Sequence, residues 1–201
     1  DGTLLRSCEL DGALYARAFL DIFGMPLPST DWNSYRNVTD RGIAEEAVAR
    51  LGLPARGIAE FRPHFIALTS RLEEIDPVPG AAQILAELQR AGHKIAIATG
   101  SWQEAARHKL RIAGIDIAQL PLVGSDEDAT REGILRAAIA RLGSGAPVVY
   151  VGDAEWDLRA SRNLGIGFVC VCAEGNRFGA PTIRDFVDRR AFAEALSRSR
   201  R

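Results

Sequence analysis

The chain has 201 residues, of which 47% are hydrophobic, and its 25 basic residues are nearly balanced by 26 acidic ones. This length favours one domain, or one domain with a modest insertion, and the hydrophobic content excludes a disordered chain. The charge balance argues against a nucleic-acid-binding surface, and no apolar stretch reaches the ~20 residues that a membrane span needs.

The first third of the chain predicts helices only. One helix lies in ELDGALYARAFLDIFG, where apolar residues recur at helical spacing. This apolar stripe consists of Tyr15, Ala18, Phe19 and Ile22. Two further helices are predicted in TDRGIAEEAVARLGLP and GIAEFRPHFIALTSRLEE, the second of them broken or begun near Pro63. We therefore expect a helical block over residues 8–76.

After the connector DPVPG, helical segments alternate with short apolar runs. The helical segments are AAQILAELQRAG, WQEAARHKLRIAGI, REGILRAAIARLG and AEWDLRASRNLG, and the apolar runs are HKIAIATGS, LPLVGS, PVVYVGD and GFVCVC. Runs that are apolar on both faces and alternate with helices are typical of a parallel sheet covered by helices on both sides. The sequence therefore predicts an α/β core joined to the helical block.

Cysteine is sparse, and the three cysteines are Cys8, Cys170 and Cys172. An odd number, with two of them on one face of an apolar run, argues against a disulfide framework. We therefore predict a reducing, cytoplasmic location. The pair in CVC has no complementary cysteine or histidine pair, so we do not predict a zinc site there.

Polar residues follow two of the apolar runs where the predicted strands end. Thr99, Gly100 and Ser101 follow IAIA, and Asp153 follows VVYV, with Asp157 one helical turn later. Ligands of open parallel sheets bind beyond the carboxyl ends of the strands. The triplet offers hydroxyls and an approachable backbone at a helix N-terminus, which suits a phosphate. The alternative is that Ser101 simply caps the helix.

Two further patterns point to metal and proton chemistry. The carboxylates of Asp153 and Asp157 suit a hard cation such as Mg²⁺, whereas the alternative is a strand-to-helix turn with Asp153 as the cap and Asp157 solvated. Asp1 precedes a Gly-Thr turn. At a strand end its carboxyl group would exchange protons with a leaving oxygen, whereas an isolated Asp-Gly pair is also common in turns.

In this order, the segments DGTLL, VPGAAQILAELQRAGHKIAIATGS, KLRIAGI and VYVGDAEWDLRASRNLGIGF resemble the haloacid dehalogenase (HAD) superfamily. The resemblance spans nearly the whole chain and is strongest to the phosphoglycolate-phosphatase-like branch with a small helical cap. It implies a Rossmann-like parallel-sheet core over residues 1–7 and 77–201, with an inserted α-helical cap at residues 8–76. It also implies a Mg²⁺-dependent phosphatase that acts on a small phosphorylated metabolite.

The first motif of the family is Asp-x-Asp-Gly-Thr, and Asp1 matches its second aspartate. The resemblance makes Asp1 the general acid and base, with its backbone carbonyl helping to hold Mg²⁺. It places the nucleophilic aspartate two positions earlier, on a central strand. We therefore expect about eight more N-terminal residues in the natural protein, mostly apolar and ending in Asp-x. An acidic Asp1 favours phosphate esters over carbon–halogen bonds, because a halide leaves without a proton.

The other motifs carry over residue by residue. Thr99 matches the hydroxyl that grips the phosphoryl oxygens, with Gly100 and Ser101 in the same loop, and the Mg²⁺ ligands are Asp153 and Asp157. The third motif is usually a lysine before a proline, but SDEDATREGILRAAIARLG contains neither. We predict that Arg131 takes this role, because a guanidinium forks well onto phosphate. Its competitor is Lys109.

In the helical block, the segment YRNVTDRG carries Arg36 and Arg41. We predict that both residues bind the substrate; the alternative is that this segment is a solvated loop.

Two alternatives to a phosphatase remain. A phosphomutase would reuse the aspartyl phosphate instead of hydrolysing it. A non-catalytic binding protein on the same scaffold is suggested by the altered third motif. The sequence predicts no particular substrate or oligomeric state.

Overall fold

The computed structural model describes residues 1–143, 145–175 and 178–199, and within these ranges the chain forms eight α-helices and five short strands. The helices are α1 (Cys8–Phe23), α2 (Asp40–Arg50), α3 (Gly57–Thr69), α4 (Ala81–Arg90), α5 (Gln103–Ile112), α6 (Arg131–Leu142), α7 (Glu155–Leu164) and α8 (Arg189–Ser199). The strands are β1 (Ile97–Ala98), β2 (Leu122–Val123), β3 (Val149–Gly152), β4 (Gly167–Val171) and β5 (Thr182–Ile183). None of the described helices is long and apolar enough to span a membrane.

Helices α1 and α3 pack around an aromatic cluster inside the helical block. Tyr15 and Phe19 of α1 and Phe61 and Phe65 of α3 are buried in it, and the rings of Tyr15 and Phe61 meet edge to face with their centroids 4.9 Å apart. Trp102, which immediately precedes α5, enters the same cluster. The predicted stripe on α1 therefore faces this cluster, and the sheet half of the molecule contributes one large side chain to it.

Helix α3 runs without interruption through Pro63, so our prediction of a break or a start at that residue is wrong. Proline cannot donate a backbone hydrogen bond and costs roughly 3 kcal/mol in a helix interior. Pro63 lies on the exposed side of α3, while Phe61 and Phe65 on either side of it are fully buried. Packing of these two rings in the aromatic cluster outweighs the cost of the proline.

The strands form two parallel sheets. β1 pairs with β2 through Ile97↔Leu122 and Ala98↔Val123, and the second sheet has the order β3-β4-β5. All of these pairs are parallel, as the alternation of helices and apolar runs predicted. The structure is an α/β fold, and its parallel sheets confirm that part of the prediction.

A cavity of about 890 Å³ lies between the two sheets. Its apolar walls include Ile97 of β1 and Val151 of β3, and its polar end is lined by Asp1, Thr99 and Asp153. β4 is mostly buried, whereas β1 and the first three residues of β3 are only half-buried. Interior strands of parallel sheets are normally buried on both faces, so the half-burial of β1 and β3 follows from the cavity between them.

Candidate functional site

The predicted site residues at the strand ends meet at the polar end of the cavity. Thr99 follows β1 and Asp153 follows β3, and both line the cavity. The N-terminal segment lies against Asp153, because Thr3 Oγ1 donates to Asp153 Oδ1 over 2.7 Å. Gly2 has a φ of 76°, and a Cβ atom there would lie 2.0 Å from Asp153 Oδ2, so this position requires glycine. The two motifs are therefore packed directly together.

The carboxylate of Asp1 is held by three side chains. Ser7 Oγ donates to Asp1 Oδ1, and Ser101 Oγ donates to Asp1 Oδ2 over 3.3 Å. The ammonium of Lys109 donates to both carboxylate oxygens, over 2.8 Å each. The Asp1 carboxylate is thus fixed beside the loop of Thr99 and Ser101, as an acid and base group at this site would need to be.

Lys109 is buried, with only 1% of its surface exposed, and it contacts a second carboxylate. Its Nζ lies 2.7 Å from Asp11 Oδ1 in the first turn of α1. Our sequence reasoning missed Asp11. Position 11 lies four residues before Tyr15, on the buried side of α1, and a carboxylate there needs a buried partner. That spacing is the signal from which Asp11 could have been found.

Arg131 lies against the loop of Thr99 and Gly100. A Cβ atom on Gly100 would lie 2.8 Å from Arg131 Nη2 and 3.0 Å from its Nη1, so the glycine lets the guanidinium approach the backbone. Nη2 donates to the carbonyl of Val38 over 2.9 Å. Nε lies 3.3 Å from Asp157 Oδ1 but is not aligned for a hydrogen bond, and it is buried without an acceptor among the described residues.

The guanidinium of Arg131 also lines the cavity. Burial alone would lower the pKa of Arg131, but the charge of Asp157 and its neighbouring groups outweighs burial and raises it. A charged guanidinium that lines a cavity suits an oxyanion, because such groups form strong charge-assisted hydrogen bonds with phosphate. Of the two cations predicted for the phosphate, Arg131 has this property, whereas Lys109 is engaged by carboxylates.

Asp157 closes the turn between β3 and α7. Its Oδ2 accepts hydrogen bonds from the N–H groups of Asp153 and Ala154, both over 3.3 Å, and its Oδ1 accepts one from the Tyr150 hydroxyl over 3.1 Å. The alternative in which Asp153 caps the helix and Asp157 is solvated is therefore wrong, because Asp157 is buried and makes these contacts itself.

Asp153 and Asp157 together fit a divalent cation. Burial, and secondarily the charge of Asp157, raises the pKa of Asp153. A divalent cation would relieve the repulsion between two buried carboxylates. The described ranges contain no cluster of three or more histidine, cysteine or acidic side chains arranged to hold a metal. Mg²⁺ does not require one, because it usually takes one or two carboxylates and keeps several waters.

The loop after β1 is tied to the helical block through Asp40. Gly100 O accepts from the N–H of Asp40 over 2.8 Å, and Asp40 Oδ2 accepts from the N–H of Trp102 over 2.9 Å. Trp102 is the N-cap residue of α5, so the alternative role of Ser101 as a simple cap is wrong. The Ser101 N–H instead donates to Thr99 Oγ1 over 3.2 Å, which closes the loop that carries the triplet.

The structure does not bring Arg36 and Arg41 into the cavity. Both residues are exposed. Arg41 forms an ion pair with Glu45 of the same helix over 2.7 Å, and the N–H of Arg36 donates to Glu46. Their assignment to substrate binding stays a prediction from the sequence.

Solved structures of other proteins share this fold. One is CbbY from Rhodobacter sphaeroides in complex with phosphate, with 22% identity, a TM-score of 0.72 and coverage of 94% of this chain and 92% of CbbY. Another is described as a candidate phosphoglycolate phosphatase from Lactobacillus plantarum. It has 18% identity and a TM-score of 0.67, and the match covers 97% of this chain and 95% of that protein. A third is described as a candidate β-phosphoglucomutase from Bacteroides vulgatus. It has 18% identity and a TM-score of 0.70, and the match covers 100% of this chain and 87% of that protein.

A search of curated proteins gives no match. The family model of the haloacid dehalogenase-like hydrolases matches residues 1–165, which include Asp1, Thr99, Arg131 and Asp153. Because this match covers most of the chain and agrees with the parallel-sheet fold, the chain belongs to the haloacid dehalogenase-like hydrolases.

Proposed function

We propose that this protein is a Mg²⁺-dependent phosphatase that acts on a small phosphorylated metabolite. The observation that carries the proposal is the Arg131 guanidinium, which lines the cavity and lies against the loop of Thr99 and Gly100. Asp153 and Asp1 line the same end of the cavity. One site therefore combines a cation for phosphoryl oxygens, carboxylates for a metal and a carboxyl group for proton transfer.

In this proposal, Thr99 and Arg131 bind the phosphoryl oxygens. Asp153, the backbone carbonyl of Asp1, and Asp157 through water would hold Mg²⁺. When bound, the ion supplies positive charge against the phosphoryl oxygens during transfer. Trp102 and Asp40 attach the helical block next to the phosphate loop, where it excludes bulk water from the reacting atoms.

The nucleophile in this proposal is the carboxylate that the family resemblance places two positions before Asp1. We place the strand that carries it in the cavity between β1 and β3, whose polar end lies beside Asp1. The carboxylate attacks phosphorus, the bond from phosphorus to the leaving oxygen breaks, and the Asp1 carboxyl group gives its proton to that oxygen. Asp1 then takes a proton from the water that attacks the aspartyl phosphate, which releases phosphate.

A phosphomutase is the second candidate, favoured by the similarity to the Bacteroides vulgatus structure. The two candidates share the first step and differ in what accepts the phosphoryl group, which is water in the phosphatase and a second hydroxyl of the sugar phosphate in the mutase. Product analysis with sugar phosphates separates them, because a phosphatase releases inorganic phosphate and a mutase produces an isomer.

The proposed function is tested by a phosphate-release screen of the full-length protein with Mg²⁺ and phosphate monoesters. We expect turnover of at least one small metabolite, and a loss of ~100-fold or more in kcat/KM for Asp153→Asn, because the variant removes a carboxylate from the metal site. Glu155→Gln is the matched control, because Glu155 lies in the same first turn of α7 and is exposed. Absence of turnover, or full activity of Asp153→Asn, would point to a non-catalytic binding protein.

A further inference from the structure

The buried Lys109 joins three parts of the molecule at one ammonium group. Its Nζ donates to both oxygens of Asp1 over 2.8 Å and to Asp11 Oδ1 over 2.7 Å, and it lies 3.4 Å from Ser101 Oγ. Asp1 belongs to the N-terminal motif, Asp11 to α1 of the helical block, and Ser101 to the loop after β1. The ammonium has three protons, so these acceptors use its full donor capacity.

This arrangement gives the two cations, Lys109 and Arg131, different roles. A buried ammonium is costly unless it is paired and hydrogen-bonded, and the carboxylates of Asp1 and Asp11 supply its two ion pairs. Lys109 has no donor left for a phosphoryl oxygen, whereas Arg131 has five donors, lines the cavity and donates from Nη2 to the carbonyl of Val38. The phosphate cation is therefore Arg131, and the contacts of Lys109 are directed to the acid and base group.

We propose that Lys109 is a positioning residue that holds the Asp1 carboxylate toward the reacting oxygen, and that it does so only while Asp11 of α1 is in place. This inference rests on the proposed phosphatase function, since it assigns a role in the two proton transfers of Asp1. Lys109 itself touches neither the substrate nor the phosphoryl group. Through Asp11, the alignment of Asp1 depends on the position of the helical block.

The test compares two leaving groups in the variant Lys109→Met of the full-length protein. p-Nitrophenolate leaves phosphorus without a proton, so formation of the aspartyl phosphate from p-nitrophenyl phosphate does not need an aligned Asp1. An alkyl alkoxide needs the proton, and hydrolysis of the aspartyl phosphate needs Asp1 as a base for either substrate. A misaligned acid and base group costs typically 10²–10⁴-fold, so we expect a loss of ~100-fold in kcat on an alkyl phosphate.

The expected signature is a pre-steady-state burst of nitrophenolate, close to one equivalent per active site, followed by slow turnover in Lys109→Met. The alkyl phosphate should show no burst. KM for the alkyl phosphate should change little, because Lys109 does not contact the substrate, whereas KM for p-nitrophenyl phosphate should fall because the aspartyl phosphate accumulates. If Lys109 had a purely structural role, the variant would slow the formation and the hydrolysis of the aspartyl phosphate together, and no burst would appear. The matched control is Arg107→Met, which removes one positive charge from the exposed side of the same helix and should keep the wild-type kinetics.

A second variant keeps the inference testable if Lys109→Met does not fold. Asp11→Asn retains an oxygen acceptor for Lys109 and removes only a charge, so we expect a smaller loss on alkyl phosphates, about 3- to 10-fold, and a smaller burst. An active wild-type protein whose variants show no burst, or keep full activity on alkyl phosphates, overturns the role of Lys109. A wild-type protein that hydrolyses no phosphate ester overturns the proposed function instead.

Discussion

Asp40 is a buried carboxylate at the contact between the helical block and the loop after β1. Its Oδ2 accepts the N–H of Trp102, and burial, reinforced by the charge of Asp11, raises its pKa to about 7. The positive charges of Lys109 and Arg131 act in the opposite direction but do not cancel the effect of burial. The folded protein therefore holds a proton on Asp40 at pH values where the unfolded chain has lost it.

This proton makes stability depend on pH. Because the folded pKa lies above the ordinary value of 3.8, the contribution of Asp40 is complete at low pH and is lost as the pH rises from about 4 to about 7. At 1.36 kcal/mol per pKa unit, the loss over this window is at most about 4 kcal/mol. We expect Asp40→Asn, which keeps an acceptor for Trp102, to be more stable than the wild type at pH 8 and to lose this pH dependence.

Urea unfolding at several pH values between 4 and 8 measures the effect. Asp116→Asn, a substitution of an exposed aspartate, serves as the control and should keep the wild-type profile. Identical pH profiles for Asp40→Asn and the wild type would contradict the raised pKa of Asp40.

The positions of single residues in the structure could be predicted where these residues follow a strand directly. Thr99 and Asp153 end apolar runs, so their positions follow from the parallel order of the strands. The partners of buried charges could not be predicted in this way. Lys109 and Asp11 are 98 positions apart, and their contact exists only because α1 packs against the sheet half of the molecule. Which of the two predicted cations is held between carboxylates therefore needs the three-dimensional structure.

At the scale of elements, Trp102 connects the helical block to the sheet half of the molecule. The residue precedes α5, yet the centroid of its ring lies 5.7 Å from the ring centroid of Phe61 and 5.6 Å from that of Phe65, both in α3. Its backbone N–H is bound by Asp40 at the start of α2. One residue thus joins the loop after β1 to two helices of the block through packing and a hydrogen bond.

We expect Trp102→Ala to cost about 3–5 kcal/mol of the free energy of unfolding, because it removes a fully buried indole and leaves a cavity in the aromatic cluster. Trp156→Ala is the comparison, since Trp156 is only half-buried and should cost less. Denaturant unfolding followed by circular dichroism gives both values. A loss of less than 1 kcal/mol for Trp102→Ala would contradict the role of this residue in joining the two parts.

Elements were predicted where the sequence has a long hydrophobic period or an apolar run, and missed where it has neither. Helix α1 has 16 residues with a continuous apolar stripe and was predicted, whereas β5 has only two residues and was not. Helix α8 was also missed, although it buries Phe192 and Ala195. The segment before it has no strand signal of its own, so the alternation of strands and helices did not indicate a helix there. Strand β5 has no apolar run of its own and forms because β4 offers it a neighbouring edge.

At the scale of the whole molecule, the two sheets meet the helical block at one polar site. The cavity between β1 and β3 ends at Asp1, Thr99 and Asp153. Asp1 is joined to the helical block through Lys109, and the loop after Thr99 is joined to it through the bond from Asp40 to Gly100. The order of the motifs along the chain predicted that these loops converge. The half-burial of β1 and β3 agrees with the expectation of a further central strand, which we place in the cavity between them.

Binding of Mg²⁺ should stabilise the whole folded protein, because Asp153 and Asp157 come together only in the folded state. A ligand at 100 times its dissociation constant adds about 2.7 kcal/mol to the free energy of unfolding. We expect the melting temperature of the full-length protein to rise with Mg²⁺ and to return on chelation. Asp153→Asn should lose this response, because it removes a carboxylate from the proposed metal site. Glu155→Gln should keep it, and an equal rise in Asp153→Asn would place the metal elsewhere.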